Sequence, residues 1–197
     1  MFTGIIESLG KLERCKAEGT NLHLSFSCNF TSELKIDQSL AHNGVCLTVV
    51  EIEGDEYTVT AIEETLNRSN LGEIALGEKV NLERCMSANG RFDGHIVQGH
   101  VDTVGVCDEI IERDGSWEYF FNYPKNTEHL TVAKGSITVN GVSLTVVHSE
   151  QNRFSVAIIP YTHEHTNFHQ FKVGSKVNLE FDIVGKYVAR MMEAQNS

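Results

Sequence analysis

Two short runs of the sequence carry side chains suited to chemistry. Cys46 and Thr48 alternate in one run, and Ser143 and Thr145 alternate in the other. Residues two positions apart on a strand point to the same face, so each pair would present a polar face. A thiol or hydroxyl there can hydrogen-bond a bound molecule or help to move a proton. Because a buried cysteine is more often an inert apolar residue, the functional interpretation requires a pocket beside Cys46.

The histidines do not predict a metal site. His95 and His100 are five positions apart, which would put them on opposite faces of a strand, where they cannot chelate one ion. His163, His165 and His169 are better spaced, but no cysteine or acidic residue accompanies them at ligand spacing. We therefore expect hydrogen-bonded or surface histidines and no metal. No phosphate loop, dinucleotide fingerprint or Gly-x-Ser-x-Gly elbow occurs either.

The sequence contains one domain written twice. Lys79–Glu83 and Lys176–Glu180 are the same pentapeptide, 97 positions apart. The same offset aligns Asn43–Val50 with Asn140–Val147, with seven of eight residues identical. Near the start the offset is 95, as Gly4 and Gly99 show. This period is too long for a stacked repeat and indicates a tandem duplication.

Each copy predicts a β-barrel. Short runs rich in β-branched and aromatic residues alternate with Gly, Asn and Asp clusters. These runs are 22–26, 45–52, 57–62, 80–82, 137–139, 142–147 and 154–159. Six or so strands in about 90 residues favour a closed barrel, which leaves no exposed edge. Short helices are expected at 64–71 and 162–168 and a linker at 85–93, which gives domains 1–93, 94–183 and 184–197.

The last segment predicts an amphipathic helix. Its apolar residues fall on one helical face: Val184, Tyr187, Val188, Met191 and Met192. Lys186, Arg190 and Glu193 lie off that face. So short a helix is not stable alone in water. It must pack on its own barrels or on other subunits, and the sequence leaves both open.

Composition excludes several partners. The formal charge of −11 opposes nucleic-acid binding, which needs clustered Lys and Arg. No apolar run approaches the roughly 20 residues that span a bilayer, and the start shows no signal-peptide pattern. The five cysteines form no CxxC pair and are odd in number, so free thiols are expected. These features predict a cytoplasmic protein that is not attached to a membrane.

Four motifs in order carry a family resemblance. They are MFTGIIE (1–7), AHNGVCLT (41–48), GHIVQGHVD (94–102) and IPYTHEHT (159–166). Together with the duplication, they closely resemble the riboflavin synthase family from Met1 to the final helix. The resemblance implies an all-β fold of two tandem six-stranded Greek-key barrels followed by a C-terminal helix.

The resemblance also implies an activity and partners. Two 6,7-dimethyl-8-ribityllumazine molecules would react by transfer of a four-carbon unit, giving riboflavin and 5-amino-6-(ribitylamino)uracil in the last step of riboflavin biosynthesis. No metal or organic cofactor would take part. The family further implies a homotrimer held through the C-terminal helices, with each site shared by the first barrel of one subunit and the second barrel of another. An association with lumazine synthase is left open.

The resemblance assigns substrate-binding residues motif by motif. The first-barrel group is Gly4, Ile5, Ile6, Cys46, Leu47, Thr48, Thr60, Ala61, Ile62, Glu63, Glu64 and Thr65. The second-barrel group is Gly99, His100, Val101, Lys134, Ser143, Leu144, Thr145, Ile159, Pro160, Tyr161, Thr162, His163 and Glu164.

The catalytic candidates come from these groups, with Ser39 in addition. His100 and Cys46 would transfer protons, Ser39 and Ser143 would be their hydroxyl partners, and Lys134 would polarise a ring carbonyl. Holding the two rings together would supply roughly 7–11 kcal/mol of the rate acceleration. The nucleophile and the barrel that binds the donor stay open.

The two copies differ at positions where donor and acceptor have to be distinguished. These pairs are Cys46 and Ser143, Ile5 and His100, Glu63-Glu64 and Pro160-Tyr161, and Asp37 and Lys134. We therefore expect one pocket to prefer the donor and the other the acceptor. Two alternatives are a non-catalytic lumazine- or flavin-binding antenna protein and a duplicated carbohydrate- or oligonucleotide-binding barrel.

Overall fold

The described residues form two closed six-stranded barrels. The computed structural model describes residues 1–125 and 130–195. The first barrel comprises β1 (Ser8–Glu18), β2 (Asn21–Ser27), β3 (Ser39–His42), β4 (Val45–Glu53), β5 (Glu56–Ala61) and β6 (Lys79–Arg84). The second comprises β7 (Thr103–Arg113), β8 (Ser116–Asn122), β9 (Ser136–Val139), β10 (Val142–Ser149), β11 (Arg153–Ile158) and β12 (Lys176–Phe181).

Both barrels have the same antiparallel topology. Around the first barrel the order is β1-β2-β5-β4-β3-β6, and the second barrel repeats it as β7-β8-β11-β10-β9-β12. The prediction of two six-stranded barrels is confirmed. Closure pairs the first and last strands of each unit, so the barrels present no free sheet edge.

Strand alternation determines which side chains fill each barrel. In β4, Val45, Leu47 and Val49 are buried in the first core, whereas Cys46 is half-buried and Thr48 is exposed. Cys46 and Thr48 therefore lie on the outer face of their strand, as their spacing predicts.

Five strands have no counterpart among the predicted runs: β1, β3, β7, β8 and β12, of which β1 and β7 are the longest. β1 and β7 begin in their barrels and extend outward, and the outer part of β1 is exposed. In this outer part, residues such as Cys15 and Lys16 pair only with β2. Because the outer part of β1 is exposed, it can carry charged side chains. Hydrophobic alternation is therefore lost although the strand continues.

The barrels meet through two equivalent turns. Asn43-Gly44 joins β3 to β4, and Asn140-Gly141 joins β9 to β10. All four residues have positive φ, as a type I′ hairpin turn requires. A Cβ on Gly44 would lie 2.7 Å from the backbone nitrogen of Gly141, so the two turns touch back to back. Asn81 bridges the interface by donating from Nδ2 to the Asn140 carbonyl at 2.9 Å.

The helices are short except for the last. α1 (Glu63–Arg68) and α2 (Pro160–His165) follow β5 and β11, and each precedes a 3-10 turn, at Leu71–Glu73 and Asn167–Gln170. A further 3-10 turn occupies Thr31–Glu33. The helices predicted at 64–71 and 162–168 are thus each broken into two pieces.

The terminal helix α3 (Ile183–Gln195) exposes its apolar face. The side chains of Val184, Tyr187, Val188, Met191 and Met192 are 51–67% exposed. Packing of this face on the chain's own barrels, one of the two expectations, is therefore wrong. Residues 196 and 197 of the predicted helical segment lie outside the described residues. Within the described ranges, no helix has the length and apolarity needed to cross a membrane.

Candidate functional site

The chain start and the segment between the barrels lie side by side. Phe2 N–H donates to the Val97 carbonyl at 2.8 Å, and Val97 N–H donates back to the Phe2 carbonyl at 3.2 Å. Both side chains are buried, at 0% and 1% exposure. From this antiparallel bridge, each segment runs on to the barrel of the other copy.

These crossing contacts place one segment beside each candidate polar strand. Ser143 N–H donates to the Gly4 carbonyl at 2.8 Å, and Cys46 N–H donates to the Gly99 carbonyl at 2.9 Å. Residue 4, from the start of the first copy, therefore belongs to the pocket of the second barrel. Residue 99 belongs to the pocket of the first.

The expected grouping of the site residues is thus wrong for two segments. Val101 packs on the first-barrel core and Ile6 packs on the second-barrel core, the reverse of the predicted arrangement. The physical reason is the bridge between Phe2 and Val97, a long-range pairing that leaves no periodic signal in the sequence. The remaining members of each group stay on the barrels to which they were assigned.

Two glycines permit the crossing. Gly4 and Gly99 have φ of +80° and +81°, a region that side chains rarely adopt. A Cβ on Gly99 would lie 2.5 Å from the Cys46 Cβ, and a Cβ on Gly4 would lie 2.5 Å from the Ser143 Cβ. Only glycine allows the backbone to approach this closely.

A buried carboxylate holds the segment beside Cys46. Glu180, near the end of β12, accepts hydrogen bonds from the backbone N–H groups of Gln98, Gly99 and His100, at 2.6, 2.9 and 2.9 Å. Burial raises the pKa of Glu180 to about 7, against the opposing effect of these amides. Glu180 is absent from the predicted site.

Glu83 plays the equivalent part for the chain start. Its Oε1 accepts from Thr3 N–H at 2.7 Å and from the Thr3 hydroxyl at 2.9 Å, and its Oε2 accepts from Gly4 N–H at 2.9 Å. Burial raises the pKa of this carboxyl also. The repeated pentapeptide, which ends on Glu83 and Glu180, was the sequence signal for both residues.

The first-barrel pocket is a cavity of about 170 Å³ at the end of α1. It is lined by Val45, Cys46, Glu64, Thr65, Arg68, Ser69, Gly99, His100 and Val101. The structure therefore brings together residues that are more than 50 positions apart in the sequence. The side chain of His100 is exposed at this pocket.

The surroundings of Cys46 favour the neutral form of its thiol. Burial raises its pKa, and a hydrogen bond with the side chain of Ser39 acts in the opposite direction. Ser39 is the first residue of β3 and pairs in register with Thr48. Because the thiolate is disfavoured, the arrangement suits hydrogen bonding or proton transfer better than nucleophilic attack.

In the second barrel a histidine contacts the counterpart of Cys46. Ser143 Oγ lies 2.6 Å from His95 Nδ1, and His95 Nε2 lies 3.2 Å from Thr138 Oγ1. Burial lowers the pKa of His95, which favours the neutral imidazole. The sequence-based placement of His95 on a strand is wrong, because residues 94–102 form no regular strand.

Exposed apolar and aromatic surfaces accompany the second barrel. Ile159 and Tyr161 are 59% and 67% exposed. Tyr161 stacks on His165 with ring centroids 4.0 Å apart, and His163 stacks on Trp117 at 3.9 Å. Burial lowers the pKa of His163, so its neutral form is favoured. Pro160 is the first residue of α2, which also carries Thr162 and Glu164.

Some predicted residues cannot offer their side chains to a ligand. Leu47 and Ala61 are buried in the first core, and Leu144 packs partly on the second. Thr60 Oγ1 lies 2.9 Å from His23 Nδ1. For the two buried residues, only backbone groups remain available for contact.

Other predicted residues are exposed. Ile62 is 54% exposed, and Glu63 and Glu64 are exposed at the start of α1. Glu64 pairs with Arg68. Lys134, exposed and with φ of +68°, stands before β9, where its backbone N–H donates to the Val146 carbonyl.

Metal binding finds no support in the described ranges. Over residues 1–125 and 130–195, no group of three or more His, Cys, Asp or Glu side chains is arranged to hold a metal ion.

Comparison with known proteins defines the class. The family model described as "Lumazine binding domain" matches residues 3–85 and residues 98–182. A solved structure of LumP in complex with 6,7-dimethyl-8-(1'-D-ribityl) lumazine shares the fold, with a TM-score of 0.84 at 23% identity, over 92% of this chain and 99% of that chain. The chain thus contains the lumazine binding domain twice.

Curated relatives narrow the class further. A riboflavin synthase of Mycobacterium tuberculosis is 45% identical over 202 residues, covering 98% of this chain and 99% of that protein. Those of Actinobacillus pleuropneumoniae and Bacillus subtilis are 43% and 40% identical, covering 98% and 100% of this chain and 90% and 92% of their own lengths. The chain belongs to the riboflavin synthase family. The predicted enzyme class is confirmed, and the carbohydrate- or oligonucleotide-binding alternative is set aside.

Proposed function

We propose that the chain makes riboflavin and 5-amino-6-(ribitylamino)uracil from two molecules of 6,7-dimethyl-8-ribityllumazine. One molecule, the donor, gives up a four-carbon unit, and the other, the acceptor, receives it. The observation that carries this proposal is the pair of crossed pockets, equivalent in backbone and different in side chains. Such a pair suits two identical molecules that take different roles.

Neutral polar groups suit this substrate. The ring is flat and rich in carbonyl groups, and the ribityl chain carries hydroxyls, so recognition depends on directional hydrogen bonds. Thr48, Thr65 and Thr145 offer hydroxyls, and the exposed faces of Ile159 and Tyr161 offer apolar contact to a ring. The substrate carries no phosphate, so the acidic net charge of −11 does not oppose its binding.

Proton transfer is assigned to groups of the first-barrel pocket. In the proposed reaction the acceptor loses a proton from its C7 methyl group, and a nucleophile attacks and opens the donor ring. His100 reaches the pocket with an exposed imidazole that can take up this proton. Cys46 contributes a neutral thiol supported by Ser39.

The second-barrel pocket supplies different groups. Ser143 presents a hydroxyl held by a neutral His95, at 2.6 Å. Lys134 is the cation assigned to polarise a ring carbonyl. With a thiol and the exposed imidazole of His100 in one pocket, and a hydroxyl, the buried imidazole of His95 and an amine in the other, we expect one pocket to favour the donor and the other the acceptor.

The assembly is part of the proposal. The exposed apolar face of α3 supports a homotrimer held through this helix, in which a first-barrel pocket of one subunit faces a second-barrel pocket of another. The division into domains 1–93, 94–183 and 184–197 is part of the proposal, with Gly4 and Ile6 contacting the second barrel and Gly99 and Val101 contacting the first. A cytoplasmic location and an association with lumazine synthase remain predictions of the sequence and of the family resemblance.

Complementation between subunits tests this arrangement. His100→Ala disables the first-barrel pocket and Ser143→Ala disables the second, and each variant alone should turn over slowly. Co-expressed in equal amounts, they should regain roughly a quarter of the wild-type activity, because that fraction of shared sites joins two intact pockets. A site contained within one subunit would give no recovery. Separately expressed variants, mixed only in the assay, are the control.

A further inference from the structure

The loop of residues 98–102, which lines the first-barrel pocket, is held by β4, by β12 and by the terminal helix α3. Its Gly99 carbonyl accepts from Cys46, and Glu180 accepts from the N–H groups of Gln98, Gly99 and His100. At the far end of the loop, Asp102 N–H donates to the Leu179 carbonyl at 2.9 Å. The position of His100 thus depends on these attachments.

The third attachment of this loop is to the beginning of the terminal helix α3. Lys186 Nζ donates to Asp102 Oδ1 at 2.7 Å and lies 2.6 Å from Oδ2. The same carboxylate accepts from Phe181 N–H at 2.8 Å. The Lys186 and Asp102 side chains are only 23% and 19% exposed, in contrast to the ion pairs on the outer surface.

Lys186 also acts on Glu180. Its positive charge favours the ionised form of that buried carboxyl, as do the three backbone amides. Other charged or titratable groups near this cluster are Arg68 of α1, whose charge interacts with Asp102, the thiol of Cys46 on β4, and His100 in the loop itself. Lys186 therefore pairs directly with Asp102, and its charge also favours the ionised form of Glu180.

We propose that Lys186 is a positioning residue for the reaction: through Asp102 and Glu180 it joins the first turn of the terminal helix to the loop that places His100 beside Cys46. This inference rests on the proposed function, because it concerns the position of a proposed proton-transfer residue. If Lys186 has this role, α3 helps to position the pocket residues in addition to its proposed role in the subunit contact.

The chemistry of the Glu180 carboxylate explains why the positive charge of Lys186 matters. An ionised carboxylate accepts hydrogen bonds at both oxygens, whereas a protonated one has lost part of this capacity. Burial raises the pKa of Glu180 to about 7, so this carboxyl is close to its titration midpoint at neutral pH. Loss of a neighbouring cation raises a carboxyl pKa by roughly 1 unit or more. Without Lys186, Glu180 should be protonated at neutral pH and the loop should loosen.

The pH profile of kcat/KM with the lumazine substrate tests this inference. Wild type should lose activity toward acid with an apparent pKa near 7, the value of Glu180. Lys186→Met should move this limb to higher pH by roughly 1 unit, and Lys186→Arg should restore it. Glu180→Gln should abolish the limb, and Lys186→Met added to Glu180→Gln should cause no further shift. Lys176→Met, which removes a lysine paired with Glu73 on the surface, is the matched control.

The opposite outcomes are distinct. A Lys186→Met profile lowered equally at every pH, or unmoved, would overturn the inference while leaving the enzyme function intact. A direct measurement covers the case of a variant that does not fold or an enzyme that does not turn over. Carboxyl ¹³C NMR of the full-length protein should show Glu180 titrating near 7, and titration near 4, as in an ordinary glutamate, would overturn the inference.

Discussion

The Gly99 carbonyl accepts a hydrogen bond from the backbone N–H of Cys46 at 2.9 Å, although the two residues belong to different copies of the duplicated domain. The Gly4 carbonyl and Ser143 repeat this relationship at 2.8 Å. Each pocket is therefore assembled from both copies, and neither barrel carries a complete pocket by itself. The duplication creates two sites that are similar in backbone and free to differ in side chains.

Gly99→Ala tests the importance of this close approach. The new methyl would stand 2.5 Å from the Cys46 Cβ, and alanine is strained at φ +81°. We expect about 1–2 kcal/mol of backbone strain, with displacement of the loop in addition. Turnover should fall by roughly 100-fold, since a displacement of about 1 Å has that effect on a catalytic group.

Gly54→Ala is the control for strain alone. Its φ is also positive, at +60°, but an added Cβ would meet nothing within 4 Å. It should lower the free energy of unfolding by a similar strain term and leave turnover near the wild-type value. Equal turnover losses in the two variants would mean that the contact with Cys46 does not matter. Urea unfolding and steady-state kinetics supply both readouts.

Cys46→Ala tests the thiol. If the neutral thiol takes part in proton transfer, kcat should fall by roughly 100-fold, the lower end of what such groups contribute, with little change in KM. Cys46→Ser keeps a group that can bond to Ser39 and should retain more activity. Cys15→Ser, at an exposed position, is the control. Unchanged kcat in Cys46→Ala would remove the thiol from the mechanism.

His42 should make stability depend on pH. It is fully buried, its Nε2 lies 2.9 Å from Tyr57 Oη, and burial lowers its pKa to about 3. The unfolded chain takes up this proton near pH 6.5, so the stabilisation is complete above that pH and is lost as pH falls toward 3. The slope is about 1.4 kcal/mol per pH unit.

The comparison of wild type with His42→Phe isolates this effect. Between pH 7 and 5, wild type should lose about 2 kcal/mol more unfolding free energy than the variant, which lacks the His42 imidazole but keeps every other titratable group. Urea titrations at the two pH values measure it. A difference between the two proteins that does not change with pH would show that His42 is not held neutral.

Val188→Glu tests the role of the terminal helix. Val188 is 51% exposed on the apolar face of α3, and a buried charge at a subunit contact would be unpaired. We expect dissociation to monomers by analytical ultracentrifugation, with intact barrels by circular dichroism and at least roughly 100-fold lower turnover. Arg190→Gln, off the apolar face, should remain associated and active. A monomeric but fully active Val188→Glu would contradict a site shared between subunits.

Much of the fold was predictable because it is local and repeated. The turn Asn43-Gly44 and its copy identify a hairpin by residue type alone. The strands β1, β3, β7, β8 and β12 were missed. For β1 and β7 the reason is that their outer parts are exposed and charged, so no alternation marks them.

The site was harder to predict, for a physical reason. The polar face of Cys46 and Thr48 follows from strand spacing and was predicted correctly. The exchange of Gly4 and Gly99 between barrels depends on the bridge from Phe2 to Val97, a contact between two irregular segments. Neither segment has a periodic sequence pattern from which this contact could have been predicted.

The stoichiometry of the reaction is the decisive measurement for the proposed function. Purified protein is incubated with 6,7-dimethyl-8-ribityllumazine alone, and riboflavin, the pyrimidine product and remaining substrate are quantified by chromatography. We expect one riboflavin and one 5-amino-6-(ribitylamino)uracil for every two lumazine molecules consumed, with no added metal or cofactor. Saturable binding of lumazine without formation of riboflavin would contradict it and would identify a binding protein instead.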